Sequence, residues 1–326
     1  MKFLKEIFQR FVPSLGEIED SVPVYVYANR HNIGDRLSAE GIKLAVGVEG
    51  PECIIEGEQI RSLFGSCRDR PFRLVIGGGG LIKDTFAPFW ESILSSKFRY
   101  VIMGIGMCDI KSQNSLFAYE LLSNMIERAE FVWVRDTLTS SLIEDRCGIR
   151  TNTILCPSVY YINEQYRRKM EKPKKRDRPS VLYVHHKKLV KTAWKEDSLI
   201  QDMVRRVCRM NKFSYAETDN LCKNPDAVLH QYEEADIVIS TRLHGCILSY
   251  ALEKPFIAVS ADHKIDSFVQ DYCDATLIDI NEVSADKIDS IMHTGLPSTP
   301  RKKDFYAHIK SIKDAGEIIK LQFLDA

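Results

Sequence analysis

The stretch Ile237-Val238-Ile239-Ser240-Thr241-Arg242-Leu243-His244-Gly245-Cys246-Ile247-Leu248 holds the unit from which the fold is read. An apolar strand ends in a polar turn, and apolar helical residues resume from Cys246 to Leu252. The same strand–turn–helix order recurs on both sides of it. Residues 22–28 read as a buried strand, and the polar turn at 29–35 leads into a helical pattern through Leu37, Ile42, Leu44 and Ala45. Further strands are predicted at 73–76, 100–105 and 131–134, with amphipathic stretches near 112–128 and 137–147 and a short strand-like piece at 153–156. Strands alternating with helices predict a mainly parallel sheet covered on both faces.

Between residues 163 and 180 the pattern stops, in a run with eight basic residues and no apolar periodicity. This run reads as a solvated linker, although a polybasic segment can also touch a lipid phosphate. Strands resume at 181–184, 213–216, 236–240, 256–260 and 276–280, and residues 303–324 form a long amphipathic pattern. The expected organisation is therefore an N-terminal Rossmann-like domain over 1–162, a basic linker over 163–180, and a C-terminal Rossmann-like domain with a final helix over 181–326. A length of 326 residues favours two domains on size alone.

Lysines and arginines number 45, as do aspartates and glutamates, so no overall charge commits the chain to nucleic acid. Any anion site must be local. Nine cysteines without a C-x-x-C pair point to reduced thiols in a cytoplasmic protein rather than a disulfide framework or zinc ribbon. Residues 1–15 alternate basic and apolar side chains without the apolar run of a signal peptide. Their helical spacing suits a helix packed on its own protein, with peripheral contact at the inner face of the membrane as the alternative.

Ligands of such sheets bind beyond the carboxyl ends of the strands, so the turns there carry the candidate chemistry. In Asn32-Ile33-Gly34-Asp35 the glycine suits a tight turn, and Asp35 either caps the next helix or points into a cleft. In Gly77-Gly78-Gly79-Gly80 the missing side chains let backbone approach a ligand or a neighbouring loop. Neither this run nor Gly104-Ile105-Gly106 completes a P-loop or a dinucleotide fingerprint, which removes support for ATP and NAD. In Val134-Arg135-Asp136 the guanidinium can grip a carboxylate or phosphate while Asp136 opens the next helix. The strongest local signal is Arg242 with His244 at a helix N-terminus, an anion site by charge and geometry together. No D-x-D or His/Cys cluster suggests a metal.

These four segments, in this order, resemble the polysaccharide pyruvyltransferase family, over residues 29–268. The resemblance implies two domains arranged like GT-B glycosyltransferases, with the site in the cleft between them. It implies that Arg135, Arg242, Leu243, His244 and Lys264 hold phosphoenolpyruvate as co-substrate, without a further cofactor, and that the acceptor is a sugar, free or lipid-linked. His244 is the expected acid and Asp35 the expected base, with Asn32, Gly34, Gly78, Gly79 and Gly80 lining the cleft. Two positions depart from the family pattern: Cys156-Pro157 replaces an Asp-Pro, and His263 replaces a proline before Lys264. A thiol is no substitute for a carboxylate base at neutral pH unless its pKa is lowered. The alternatives are a GT-B glycosyltransferase using a nucleotide sugar and a non-catalytic family member.

Overall fold

The computed structural model describes residues 22–325 apart from 57–59, 61–62, 65–68, 109–116, 168–176, 187–196 and 294–297. The apolar stretch at 1–15 and most of the basic run therefore lie outside the described residues. Six parallel strands form one sheet: β1 (Val24–Tyr27), β2 (Glu52–Ile54), β3 (Arg73–Gly77), β4 (Arg99–Ile105), β5 (Val132–Val134) and β6 (Asn152–Thr153). Their order is β2-β1-β3-β4-β5-β6. Five more, β7 (Ser180–Val184), β8 (Ser214–Thr218), β9 (Ile237–Ser240), β10 (Phe256–Ser260) and β11 (Thr276–Asp279), form a second parallel sheet in the order β11-β10-β9-β7-β8. The central strands β1, β7, β9 and β10 are buried along their whole length, as strands covered on both faces must be. The expected pair of Rossmann-like, GT-B-like units is the architecture observed.

Each sheet reverses its strand order once, between β1 and β3 in the first and between β7 and β9 in the second. The turns beyond those four strands open onto a crevice that the sheet's own topology creates. Helix α1 (Ile33–Val46) follows β1, α2 (Ala87–Leu94) follows β3, α3 (Tyr119–Arg128) follows β4 and α4 (Thr137–Cys147) follows β5. A short helix α5 (Pro157–Tyr161) follows β6 and continues as a π-helical turn over Ile162–Tyr166. The chain therefore stays helical past residue 163, where the loss of apolar periodicity suggested that a linker begins. In the second half α6 (Asp197–Met210), α7 (Pro225–Glu234), α8 (Leu243–Ala251), α9 (His263–Tyr272) and α10 (Ala285–His293) follow β7 to β11 in turn. No helix among the described residues is long and apolar enough to cross a membrane.

The last helix, α11 (Phe305–Ile318), belongs to both halves. Near its start Phe305 packs on Tyr250 of α8, and His308 packs on Tyr272 of α9. Further along, Gly316 lies against the Ala45 backbone of α1, close enough that a side chain would collide with it. The π-helical turn that follows reaches the first sheet, where Arg73 donates to the Leu324 carbonyl and the Arg99 guanidinium lies 5.5 Å from the Phe323 ring centre. One apolar cluster consequently runs from Tyr25, Ile42 and Val159 in the first half through Ile312 to Leu248 and Phe268 in the second. The two places where the chain passes between halves also share one partner. Arg167 after α5 and Lys302 before α11 both pair with Glu253, at 2.8 and 3.4 Å, just past the end of α8.

Candidate active site

The crevice of the first sheet is built around Asp35. Asn32 is the N-cap of α1, its side-chain oxygen accepting from the Gly34 amide at 3.2 Å. Asp35 is therefore released from the capping role that its place in the turn allowed. Its side chain is turned inward and only 6% exposed. The glycines opposite explain how it fits: Gly78 and Gly79 have φ of 79° and 98°, and a Cβ on Gly79 would stand 2.6 Å from the Asp35 carboxylate. The run after β3 thus lets backbone close over a neighbouring helix, the second of the two uses a glycine run can have. Gly34 has a different reason. It sits inside the first turn of α1 rather than in a tight turn, and the His244 ring lies where its side chain would be.

Arg135 reaches the same place from β5. It is 3% exposed, its Nε stands 3.4 Å from Asp136, and its Nη2 is buried with no hydrogen-bond partner among the described residues. Asp136 is meanwhile occupied as the N-cap of α4, accepting from the Thr139 amide at 2.8 Å and hydroxyl at 2.6 Å. From the second half come Arg242, the N-cap of α8, His244 in its first turn, and Lys264 in the first turn of α9. Arg242 is steered by donating to the Asp219 carbonyl, and Lys264 pairs with Asp262 at 2.7 Å. The Leu243 side chain is buried in the core; its amide and that of His244 belong to a first turn that has no intrahelical acceptors.

The halves are tied on both flanks of this cluster. On one flank the Ile33 amide donates to Asn220 at 3.0 Å and the Cys222 amide to His31 at 2.8 Å. On the other, Tyr272 donates to the Arg135 carbonyl at 3.0 Å and Thr137 to Asp271 at 2.8 Å.

The matching family model, polysaccharide pyruvyl transferase, covers residues 32–263, most of the chain, from the cap of α1 to the residue before Lys264. The chain belongs to this family. A comparison with curated proteins finds no match. Among solved structures, the chain is similar to UDP-GlcNAc 2-epimerase of Methanocaldococcus jannaschii in complex with UDP-GlcNAc and UDP, at 10% identity and a TM-score of 0.63, covering 91% of this chain and 99% of that one. It is also similar to UDP-GlcNAc 2-epimerase of Neisseria meningitidis bound to UDP-GlcNAc, at 11% identity and a TM-score of 0.53, covering 93% and 100%. At such identities the likeness is one of fold.

Within this pyruvyl transferase fold, charge is distributed unevenly. Burial first, then the charges of Arg135, Lys264 and Arg242, holds the His244 imidazole well below its usual range. Burial pushes the Asp35 carboxyl up to about 7 against the opposing pull of Arg135 and Arg242. Burial also pulls on Lys264, but Asp262 and the nearby Cys108 hold it above its ordinary range.

The Asp35 shift has a measurable sign. Between about pH 4 and pH 7 the folded protein keeps a proton on Asp35 that the unfolded chain has lost, so this group's contribution to stability falls as pH rises through that window. Asp35→Asn is expected to melt several degrees above the parent at pH 8, on the order of 2–4 kcal/mol, with the gap closing at pH 4. Thermal melts at the two pH values check this; an equal offset at both would mean that folding does not raise the Asp35 pKa.

Two further residues enter the site with little warning from the sequence. Cys156, read only as a departure from the family pattern, places its Sγ 3.9 Å from His244 Nε2, with Ser38 Oγ at 3.0 Å and Ser158 Oγ at 3.2 Å. Cys108 packs on Gly80 and stands 3.4 Å from Lys264 Nζ.

Proposed function

We propose that the protein transfers the pyruvyl group of phosphoenolpyruvate to a sugar, forming a cyclic pyruvate ketal during polysaccharide or glycolipid biosynthesis. One observation carries this reading: Arg135, buried with a guanidinium nitrogen unpartnered among the described residues, meets Arg242 and Lys264 around one neutral imidazole. Three cations converging on one point are what a small molecule bearing both a carboxylate and a phosphate requires. The amides at the start of α8 favour the same charge.

In this reading the arriving anion opposes the three cations and returns His244 to the range where it holds a proton. His244 then donates to the methylene carbon, while Asp35, poised near neutrality, accepts the proton of the sugar hydroxyl that bonds to the central carbon. The bond from that carbon to the phosphate oxygen breaks, inorganic phosphate leaves, and a neighbouring hydroxyl closes the ketal, giving up its own proton. Phosphoenolpyruvate is a co-substrate, and the arginines and Lys264 carry the charge of the departing phosphate. The acceptor is a sugar, free or lipid-linked.

A nucleotide-sugar transferase is the second reading, favoured by the fold likeness to proteins bound to UDP-GlcNAc. Thermal protection separates the two: phosphoenolpyruvate is expected to raise the melting temperature and UDP-sugars are not. Incubation with phosphoenolpyruvate and a panel of nitrophenyl and lipid-linked sugars, scored by mass, is then expected to yield a product heavier by one ketal-linked pyruvate. Protection by a UDP-sugar alone would replace this reading with the second.

A further inference from the structure

The segment that follows β4 touches a cation from each half of the molecule. Gly106 has no side chain, and the Arg135 guanidinium takes the space, with Nη2 2.5 Å from where a Cβ would stand. Two residues on, the Cys108 sulfur accepts from Lys264 Nζ at 3.4 Å. Gly80 makes room for that sulfur, since a side chain there would collide with it. The backbone between the two contacts is strapped down: the Gly106 amide donates to Gly79 at 3.2 Å, the Cys108 amide to Ile82 at 3.3 Å and the Met107 amide to the Thr139 hydroxyl at 3.1 Å. Met107 also forms a parallel bridge with Ile82, so residues 106 and 108 share one side of an extended stretch. The segment therefore gauges the two cations against each other, two residues of extended chain spanning about 6.5 Å.

Lys264 needs such a contact to face the cleft. Its own half offers Asp262, the N-cap of α9, whose carboxylate pairs with Nζ at 2.7 Å and draws the ammonium back toward that helix. A lysine is a point charge on a flexible stem, aimed only by what its three donors meet. Cys108, half-buried, meets one of them from the opposite half. Thiol sulfur is a weak acceptor, so it directs the ammonium without competing with a carboxylate or phosphate, whose charge-assisted bond is stronger.

We propose that Cys108 is the positioning residue of Lys264: it draws the ammonium across the cleft, onto the segment that already seats Arg135, and yields it to the anion that arrives. This rests on the reading of the cleft as a phosphoenolpyruvate site and adds the contact that assembles its cations from both halves.

Calorimetric titration with phosphoenolpyruvate, and thermal melts without it, of the parent, Cys108→Ala, Lys264→Met and the double variant test the assignment. Cys108→Ala is expected to bind about 2–10-fold more weakly, the size of one hydrogen bond. In the Lys264→Met background the same change should cost nothing further, because the group it aims is gone. Cys108→Ser, which keeps an acceptor, should recover part of the loss. An equal loss in both backgrounds would mean that the sulfur only fills the space at Gly80, and no loss in either would remove it from the site; both results overturn the assignment. In the melts, the drops of the two single variants are expected to sum to more than the drop of the double variant, and additive drops overturn the assignment as well. If the parent binds no phosphoenolpyruvate, the proposed function fails and the contact between Cys108 and Lys264 is judged on the melts alone.

Discussion

His244→Gln is expected to lower turnover roughly 10²–10⁴-fold while phosphoenolpyruvate still binds, the usual size of a general acid contribution. Glutamine fills the space and donates a hydrogen bond but delivers no proton to carbon. His244→Lys keeps a cation in the cleft, so the two variants together separate proton donation from charge neutralisation. Near-normal kcat in the lysine variant would sink the assignment. The pH–rate profile adds a second test. The thiol of Cys156, 3.9 Å from His244 Nε2, stands where a carboxylate would pair with an imidazolium. Cys156→Asp is therefore expected to move the limb that reports His244 to higher pH, because a neighbouring anion favours the protonated ring. A profile that does not move would mean that the imidazole is not the group being titrated.

Gly34→Ala is expected to cost about 100-fold in turnover and, by overpacking, about 1–3 kcal/mol of stability. Nothing in the backbone opposes alanine here, since Gly34 lies within the first turn of α1, where alanine is the better helix former. The obstacle is His244, whose ring occupies the space of the added methyl group. Neither side can yield easily, because Ile33 is bonded to Asn220 at 3.0 Å and α8 is buried through most of its length. The imidazole must turn or shift, and a displacement of about 1 Å at a reacting group is worth a loss of that order. A double-mutant cycle gives the control: in a His244→Ala background the ring that the methyl group meets is gone, so Gly34→Ala should then cost little further. An equal cost in both backgrounds would show that the methyl acts through the backbone instead.

Much of this was legible in the sequence, because strands buried on both faces leave long apolar runs and the turns after them concentrate the polar residues. The strand at residues 256–260 and the helix at 137–147 lie where the pattern placed them. The strand Glu52–Ile54 escaped notice because it is three residues long and opens with a glutamate that pairs with Arg30. The turn residues Asp35, Arg135, Arg242, His244 and Lys264 do converge, and their spacing from strand ends was the signal. Cys156 was not found as a site residue. A buried thiol ordinarily reads as core, and its nearness to His244 depends on how two distant elements cross. The reason for Gly34 was also invisible, since the atom it makes room for is more than two hundred residues away.

Glu253, where both chain crossings pair, stands just past one end of α8, and His244 stands at the other. Nine helical residues separate those ends by about 13 Å. The helix thus joins the residue that both chain crossings share to the imidazole at its other tip. A swing of about 5° on an arm of that length carries the imidazole roughly 1 Å past Gly34 and Asp35, the same displacement that separates a productive geometry from an idle one. In the proposed reaction, that is the scale on which the distance from His244 to Asp35 decides turnover.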